Sequence, residues 1–381
     1  MIKKSSLKRV AHYAGAFLLA GAAVGCGDDG GNDVDAGGGA DAGPDAACVG
    51  HACGGTNTPF ELAEGGEFRL ERLQQNADNS MQYLASQAFF FKGQTPAARP
   101  LGLPELELVT DPALKALGYS CQDFRVGNLF DNGFTAAAQA IVDTRDYYSV
   151  GDEVTLTNVA DEQDVITLSK RTDPAEAIDL SAGLTHKILY RGPDAQDVEL
   201  NTIYRPAIPG SLEYPSLDLK YGQSVAGEEM ADPTTGVGTP QLYMPSAFTM
   251  TAPTEVEFYT EGFLSFTKGD DYEMTYDFEP APEGWPTILP FIGFLNSSFQ
   301  VVAFCAKGPT PAEPKPDNGE FIVPAEVLEI LGDITPGPVI MGRFTHVAWE
   351  YQQDKSRLDL LGIECKLSPV SGWQVEDAPV N

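Results

Sequence analysis

The stretch Tyr272-Glu273-Met274-Thr275-Tyr276-Asp277-Phe278 decides the fold class. Large apolar or aromatic side chains stand at every second position, and Glu273, Thr275 and Asp277 fill the gaps. Successive side chains of a strand point to opposite faces, so this segment reads as a strand with one face in a core and one in water. The same alternation marks Glu255-Val256-Glu257-Phe258-Tyr259, Val154-Thr155-Leu156-Thr157 and Val165-Ile166-Thr167-Leu168. Further strands are expected at 68–73, 81–91, 186–190, 299–304, 344–351 and 358–365. Turn residues separate them at Gly151-Asp152, Gly192-Pro193-Asp194, Lys268-Gly269-Asp270-Asp271 and Asp317-Asn318-Gly319.

Two short helices interrupt this pattern. Asp111-Pro112-Ala113-Leu114-Lys115-Ala116-Leu117-Gly118 has an Asp cap, Pro at the first helical position and Gly past the end. Pro324-Ala325-Glu326-Val327-Leu328-Glu329-Ile330-Leu331-Gly332 repeats the design, with Val327, Leu328 and Leu331 on one face. The 39 Gly and 28 Pro among 381 residues exclude a long helical bundle or coiled coil. The expectation is a mainly β protein of antiparallel, sandwich-like domains with a few short helices, preceded by a disordered tether. A pattern-poor, Pro/Gly/Thr-rich stretch from Tyr204 to Pro253 suggests dividing the body into a β-rich domain, 56–250, and a sandwich-like domain, 251–370, with 371–381 as a tail.

The N-terminus reads as an address. Lys3, Lys4, Lys8 and Arg9 precede an apolar run from Ala14 to Gly25 that is too short to span a bilayer comfortably, as in an export signal covering 1–25. The run ends in Ala23-Val24-Gly25-Cys26, which resembles the bacterial lipobox, although Leu is commoner where Ala23 stands. The resemblance implies that Cys26 is acylated and becomes the mature N-terminus. Residues 26–55 form the tether: from Gly27 to Ala47 there are seven Gly, six Asp and no Lys or Arg, a composition that cannot bury a core. Gly27 after the cysteine, rather than Asp, resembles sorting patterns that favour an outer membrane, so the expected location is the envelope of a Gram-negative bacterium.

Charge narrows the partners. The chain carries 55 acidic and 24 basic residues, a net charge of −31, which excludes nucleic acid as a partner. The membrane, reached through the N-terminal lipid, and an extracellular glycan or protein ligand remain. No cofactor is implied; calcium is the auxiliary ion so acidic a surface would take, although Asp28, Asp29, Asp33 and Asp35 lack the spacing of an EF-hand loop.

Export also favours disulfides. With Cys26 acylated, five cysteines remain. Cys48 and Cys53 are expected as a small staple, in preference to a three-ligand metal site with His51. Cys305 and Cys365 end strand-like runs and are expected to pair, which leaves Cys121 as the odd thiol.

The C-terminal part is similar to a module of surface lipoproteins of myxobacteria and their relatives. In that module an aromatic-rich strand is followed by a strand ending in Cys, a polar Asp/Gly turn, and a helix opened by Phe-x-x-Pro-Ala. Here these are Tyr272–Phe278, Cys305, Asp317-Asn318-Gly319-Glu320-Phe321 and Pro324-Ala325. The likeness covers about a third of the chain and implies location and fold, with no activity attached.

Catalytic signals are sparse. Metalloprotease, P-loop, dinucleotide and nucleophile-elbow motifs are missing; Gly222-Gln223-Ser224-Val225-Ala226-Gly227 puts its last Gly one place too late. His346 sits opposite Val347, Trp349 and Tyr351 and shares a face with Glu350, the pattern of a solvent-facing or strand-edge histidine. Glu255 and Glu257 on one strand face would be about 6–7 Å apart, near the inverting-glycosidase range, yet alternating Glu is also what a wet strand face shows. Trp285 is the best exposed aromatic for stacking a sugar. The expected role is therefore non-catalytic: surface binding, adhesion or scaffolding. The alternative is a surface hydrolase acting on polysaccharide or ester.

Overall fold

A computed structural model describes residues 64–376, apart from 79–81, 93–107, 124–138, 180–183, 193–197, 208–222, 225–240, 282–286, 298–300, 352–355 and a few isolated positions. Cys26, Cys48, Cys53 and Trp285 lie outside the described residues.

The body is mainly β. The first half supplies β1 (Glu64–Gln74), β2 (Gln82–Lys92), β3 (Tyr119–Asp123), β4 (Asp146–Tyr147), β5 (Glu153–Asn158), β6 (Val165–Arg171), β7 (Ile178–Asp179), β8 (Leu184–Thr185), β9 (Leu189–Arg191), β10 (Thr202–Ala207), β11 (Gln223–Ser224) and β12 (Leu242–Met244). The second half supplies β13 (Phe248–Ala252), β14 (Leu264–Thr267), β15 (Tyr272–Phe278), β16 (Ile288–Leu295), β17 (Val301–Lys307), β18 (Glu320–Val323), β19 (Val339–Tyr351), β20 (Ser356–Leu367) and β21 (Trp373–Glu376). Three short helices are described: α1 (Pro112–Ala116), α2 (Glu255–Phe258) and α3 (Ala325–Leu331).

One 14-stranded sheet runs β12-β10-β5-β6-β9-β2-β1-β20-β19-β16-β17-β3, with β4 and β11 attached to β2 and β19. Strands from both sides of residue 250 pair within it. β1 lies parallel to β20, with Glu64 beside Ser356 and Gln74 beside Lys366, and β3 lies antiparallel to β17. The boundary expected at residue 250 therefore does not divide this sheet.

The sheet curls on itself. Its end strand β12 crosses back over β19 and β20, where Thr345 Oγ1 donates to the Tyr243 carbonyl at 2.5 Å. Phe68, Phe90, Leu156, Leu168, Tyr204, Leu242 and Leu358 fill the inside of the curl as one apolar cluster. At the far end the small sheet β13-β15-β18 and α3 pack over β3, β17, β16 and β19. Met274 and Tyr276 of β15, Phe321 and Leu328 meet Ile292, Cys305 and Met341 there, which is the sandwich arrangement expected from the alternation in Tyr272–Phe278. The opposite face of β16, β17, β19 and β20 carries a third cluster with Phe291, Phe304, Phe344 and Ile363. β16 is thus buried on both faces, which explains why Ile288–Leu295 is apolar without alternation.

Both helices expected from caps form. Asp111 accepts from Ala113 N–H at 2.8 Å to open α1, and α3 buries Val327, Leu328 and Leu331. Glu255–Tyr259, expected as a strand, is instead the one-turn helix α2. Thr254 and Glu257 form a reciprocal capping box, Phe258 is buried, and Val256 is 70 % exposed.

The disulfide also differs from expectation. Cys121 on β3 stands directly opposite Cys305 on β17 and is bonded to it, with Cα atoms 4.1 Å apart. Cys365 is a buried free thiol. It lies on β20, three strand spacings or about 14 Å from β17, beyond the roughly 7 Å that a disulfide tolerates.

Candidate functional site

The three central strands β1, β20 and β19 carry charged side chains on both faces. On the face between the curl and the sandwich, register places Glu364 beside Arg72 on one neighbour and Arg343 on the other, and Lys366 beside Gln74. All five side chains are buried. Arg72 Nη1 reaches Glu364 Oε1 at 3.3 Å. Lys366 Nζ donates to Gln74 Oε1 at 2.7 Å and to Glu255 Oε1 of α2 at 2.6 Å, and lies 5.0 Å from the Phe248 ring centroid. Arg343 turns away from Glu364. Its Nε donates to Asp317 Oδ2 at 2.8 Å, its Nη1 donates to the Ser246 carbonyl at 2.8 Å, and its guanidinium lies 4.1 Å from the Phe278 ring centroid. Tyr276 donates its hydroxyl to Asp317 Oδ1 at 2.6 Å.

Three cations thus meet three carboxylates between two apolar clusters. Burying charge costs several kcal/mol per ion unless pairing and hydrogen bonds compensate. Asp317 and Glu255 are compensated; Glu364 is the weak member. It is fully buried, and its Oε2 has no hydrogen-bond partner among the described residues. Burial pushes its carboxyl up to about 8, against the opposing pull of Arg72, Lys366 and Arg343. Burial likewise raises the hydroxyl of Tyr259, with Glu255 and Glu364 adding to the rise. Chemically, the arrangement ties α2 to the sheet and favours the neutral form of Glu364.

On the other face, Arg69 and Glu67 form an ion pair, and His346 Nε2 lies 2.7 Å from Asp359 Oδ1. Glu67 and Asp359 are direct neighbours across the parallel β1–β20 pairing. The solvent-facing or strand-edge position expected for His346 is therefore corrected: the residue is buried, on β19 with β20 paired beside it and Leu361 directly opposite. His186 is buried too, with Nδ1 2.8 Å from the Tyr147 hydroxyl.

The glutamates considered as a glycosidase pair are separated by function. Glu257 accepts from Thr254 N–H at 2.7 Å, and that hydrogen bond lowers its pKa. Glu255 accepts from Met250 N–H at 3.0 Å and from Lys366. Ser224, in the near-miss elbow, lies in β11 opposite Trp349 of β19. Among the described residues no cluster of three His, Cys, Asp or Glu is placed to hold a metal, and no helix is long and apolar enough to cross a membrane.

No protein-family model matches this chain, and no curated protein or solved structure matches it either. Sequence reasoning missed the Arg72–Glu364–Lys366–Arg343 cluster. The available signal was the pair of charges at Glu364 and Lys366 inside the otherwise apolar run from Leu360 to Leu367.

Proposed function

We propose that this is a lipid-anchored envelope protein that displays its β body on an acidic tether for surface binding, adhesion or scaffolding, without catalysis. The observation that carries this reading is Ala23-Val24-Gly25-Cys26 followed at once by the Gly/Asp-rich run to Ala47. The likeness to surface lipoproteins of myxobacteria supports an outer-membrane address. A glycan or protein outside the cell is the partner such display serves, with calcium as an auxiliary ion for the acidic surface. Metabolic labelling with radioactive palmitate tests the anchor. Wild type should carry label and sediment with membranes, and Cys26→Ala should lose both; label retained in Cys26→Ala would refute it.

A second reading, a surface hydrolase for polysaccharide or ester, draws on the row formed by Glu67, Asp359 and His346. A carboxylate–histidine pair is the chemistry of a general base. A panel of chromogenic esters and glycosides discriminates: the display reading expects no turnover. Turnover abolished by His346→Gln in a folded protein would replace display with catalysis.

A further inference from the structure

We propose that α2 is a proton-dependent clasp: it closes on the sheet through Glu255 and Lys366 while Glu364 is protonated, and it opens to let Glu364 ionise in water. The inference does not depend on the display reading.

The groups facing Glu364 are few. Arg72 comes from β1, Arg343 from β19, Lys366 from β20 itself, Glu255 from α2, and Tyr259 follows α2 directly. Arg343 is committed to Asp317 and Ser246, and Lys366 to Gln74 and Glu255. A charge on Glu364 would find one direct partner, Arg72 at 3.3 Å, and an Oε2 with none among the described residues. It would also repel Glu255 and compete with it for Lys366, which stands two positions along the same strand face. The ionisation releases one proton from the Glu364 carboxyl to solvent, and the folded body supplies no new hydrogen bond in exchange.

Hydrating that carboxylate requires lifting what covers it, and α2 is the lightest cover. It is a single turn with Val256 largely exposed, and its capping box binds only within itself. Among the described residues its attachments to the body include the Glu255–Lys366 pair, Phe258 buried in the large cluster with its ring centroid 4.8 Å from that of Phe263, Tyr259 packed against that cluster, and a 3.4 Å contact from the Tyr259 hydroxyl to the Gln74 carbonyl. Glu255 also accepts from Met250 N–H, so that amide reports the state of the clasp. The raised carboxyl of Glu364 sets the working range: opening is favoured progressively above the ordinary 4.5 and levels off near 8.

Amide hydrogen exchange on the folded protein tests this, after correction for base catalysis of exchange. In wild type, protection of Met250 and its neighbours through Thr260 should fall about tenfold or more between pH 5.5 and 8, because linkage allows up to tenfold per pH unit. In Glu364→Gln the fall should shrink below about twofold. Glu255→Gln, altered at a side chain only 19 % exposed, keeps the shape and an amide oxygen for Lys366 Nζ, so the body should still fold. It should show low protection already at pH 5.5, since its tie to Lys366 is weakened. Unchanged wild-type protection over this range, equal loss in wild type and Glu364→Gln, or full protection in Glu255→Gln at pH 5.5 would each overturn the clasp.

Discussion

Glu364 stands in register between Arg72 and Arg343, yet only Arg72 reaches it, at 3.3 Å, because Arg343 is held by Asp317. The carboxyl is therefore surrounded by cations and still under-compensated, and burial prevails. Its pKa rises from 4.5 to about 8 in the folded protein. Between those values the folded state keeps a proton that the unfolded chain releases. Stability from this group is therefore fully present below the lower value and is lost as pH rises toward 8. Urea melts at pH 5, 7 and 9 should show wild type losing a few kcal/mol across the series, with about 5 kcal/mol as a ceiling. Glu364→Gln should be nearly flat over the same range. A wild type that gains stability from pH 5 to 8 would contradict the assignment.

Arg343 and Asp317 make the best-built pair in the seam. The guanidinium meets Asp317 through Nε at 2.8 Å and Nη2 at 2.7 Å, holds the Ser246 carbonyl, and covers the Phe278 ring. Arg343→Met leaves the buried Asp317 carboxylate with Tyr276 in place of a cation and should cost about 3–5 kcal/mol. Arg343→Lys should recover little, since an ammonium cannot reproduce the forked contact. A double-mutant cycle with Asp317→Asn, read by urea denaturation, should give a coupling of about 2 kcal/mol or more. A coupling near zero would mean that the pair is geometric only.

The alternation in Tyr272–Phe278, the Asp111 cap of α1 and the apolar face of α3 were legible because each is a local pattern that survives into the structure. Glu255–Tyr259 was not, for a physical reason. One helical turn is too short to display a period of 3.6, and Glu-Val-Glu-Phe mimics a period of two. The decisive signal was Thr254 three residues before Glu257, which is a capping box. The seam was hidden differently. Glu364, Lys366, Arg72 and Arg343 read as the wet side of strands; they are dry because α2, β12 and the small sheet fold over them from distant parts of the chain. Cys121 finds Cys305 across a separation of 184 residues, which no spacing rule reveals.

That disulfide allows a direct count. In the native protein Cys365 should be silent to a thiol reagent, because it is fully buried and burial holds its thiol far above the usual range. Unfolding without reductant should expose one reactive thiol, Cys365, if Cys26 is acylated and Cys48 is joined to Cys53. Three or more would break the scheme. Replacing both Cys121 and Cys305 by Ala should cost up to about 5 kcal/mol, the chain-entropy value for a loop of this length.

The curl of the large sheet rests on a close approach at Gly362. A Cβ there would stand 2.0 Å from the Tyr243 carbonyl oxygen, far inside the 3.0 Å below which something must shift. The obstacle is backbone, so no rotamer relieves it. β12 would have to move away by about 1 Å or more, breaking the Thr345–Tyr243 hydrogen bond and withdrawing Leu242 and Met244 from the apolar cluster inside the curl. Partial loss of two such side chains corresponds to roughly 3 kcal/mol or more for Gly362→Ala. Gly269→Ala is the control. Gly269 has φ +94° with nothing near its Cβ position, so the change should cost only about 1–2 kcal/mol of backbone strain. Urea denaturation of both variants ranks them. If Gly362→Ala proves no more damaging than Gly269→Ala, then β12 does not close over β20, and the charged seam beneath it stands open to water.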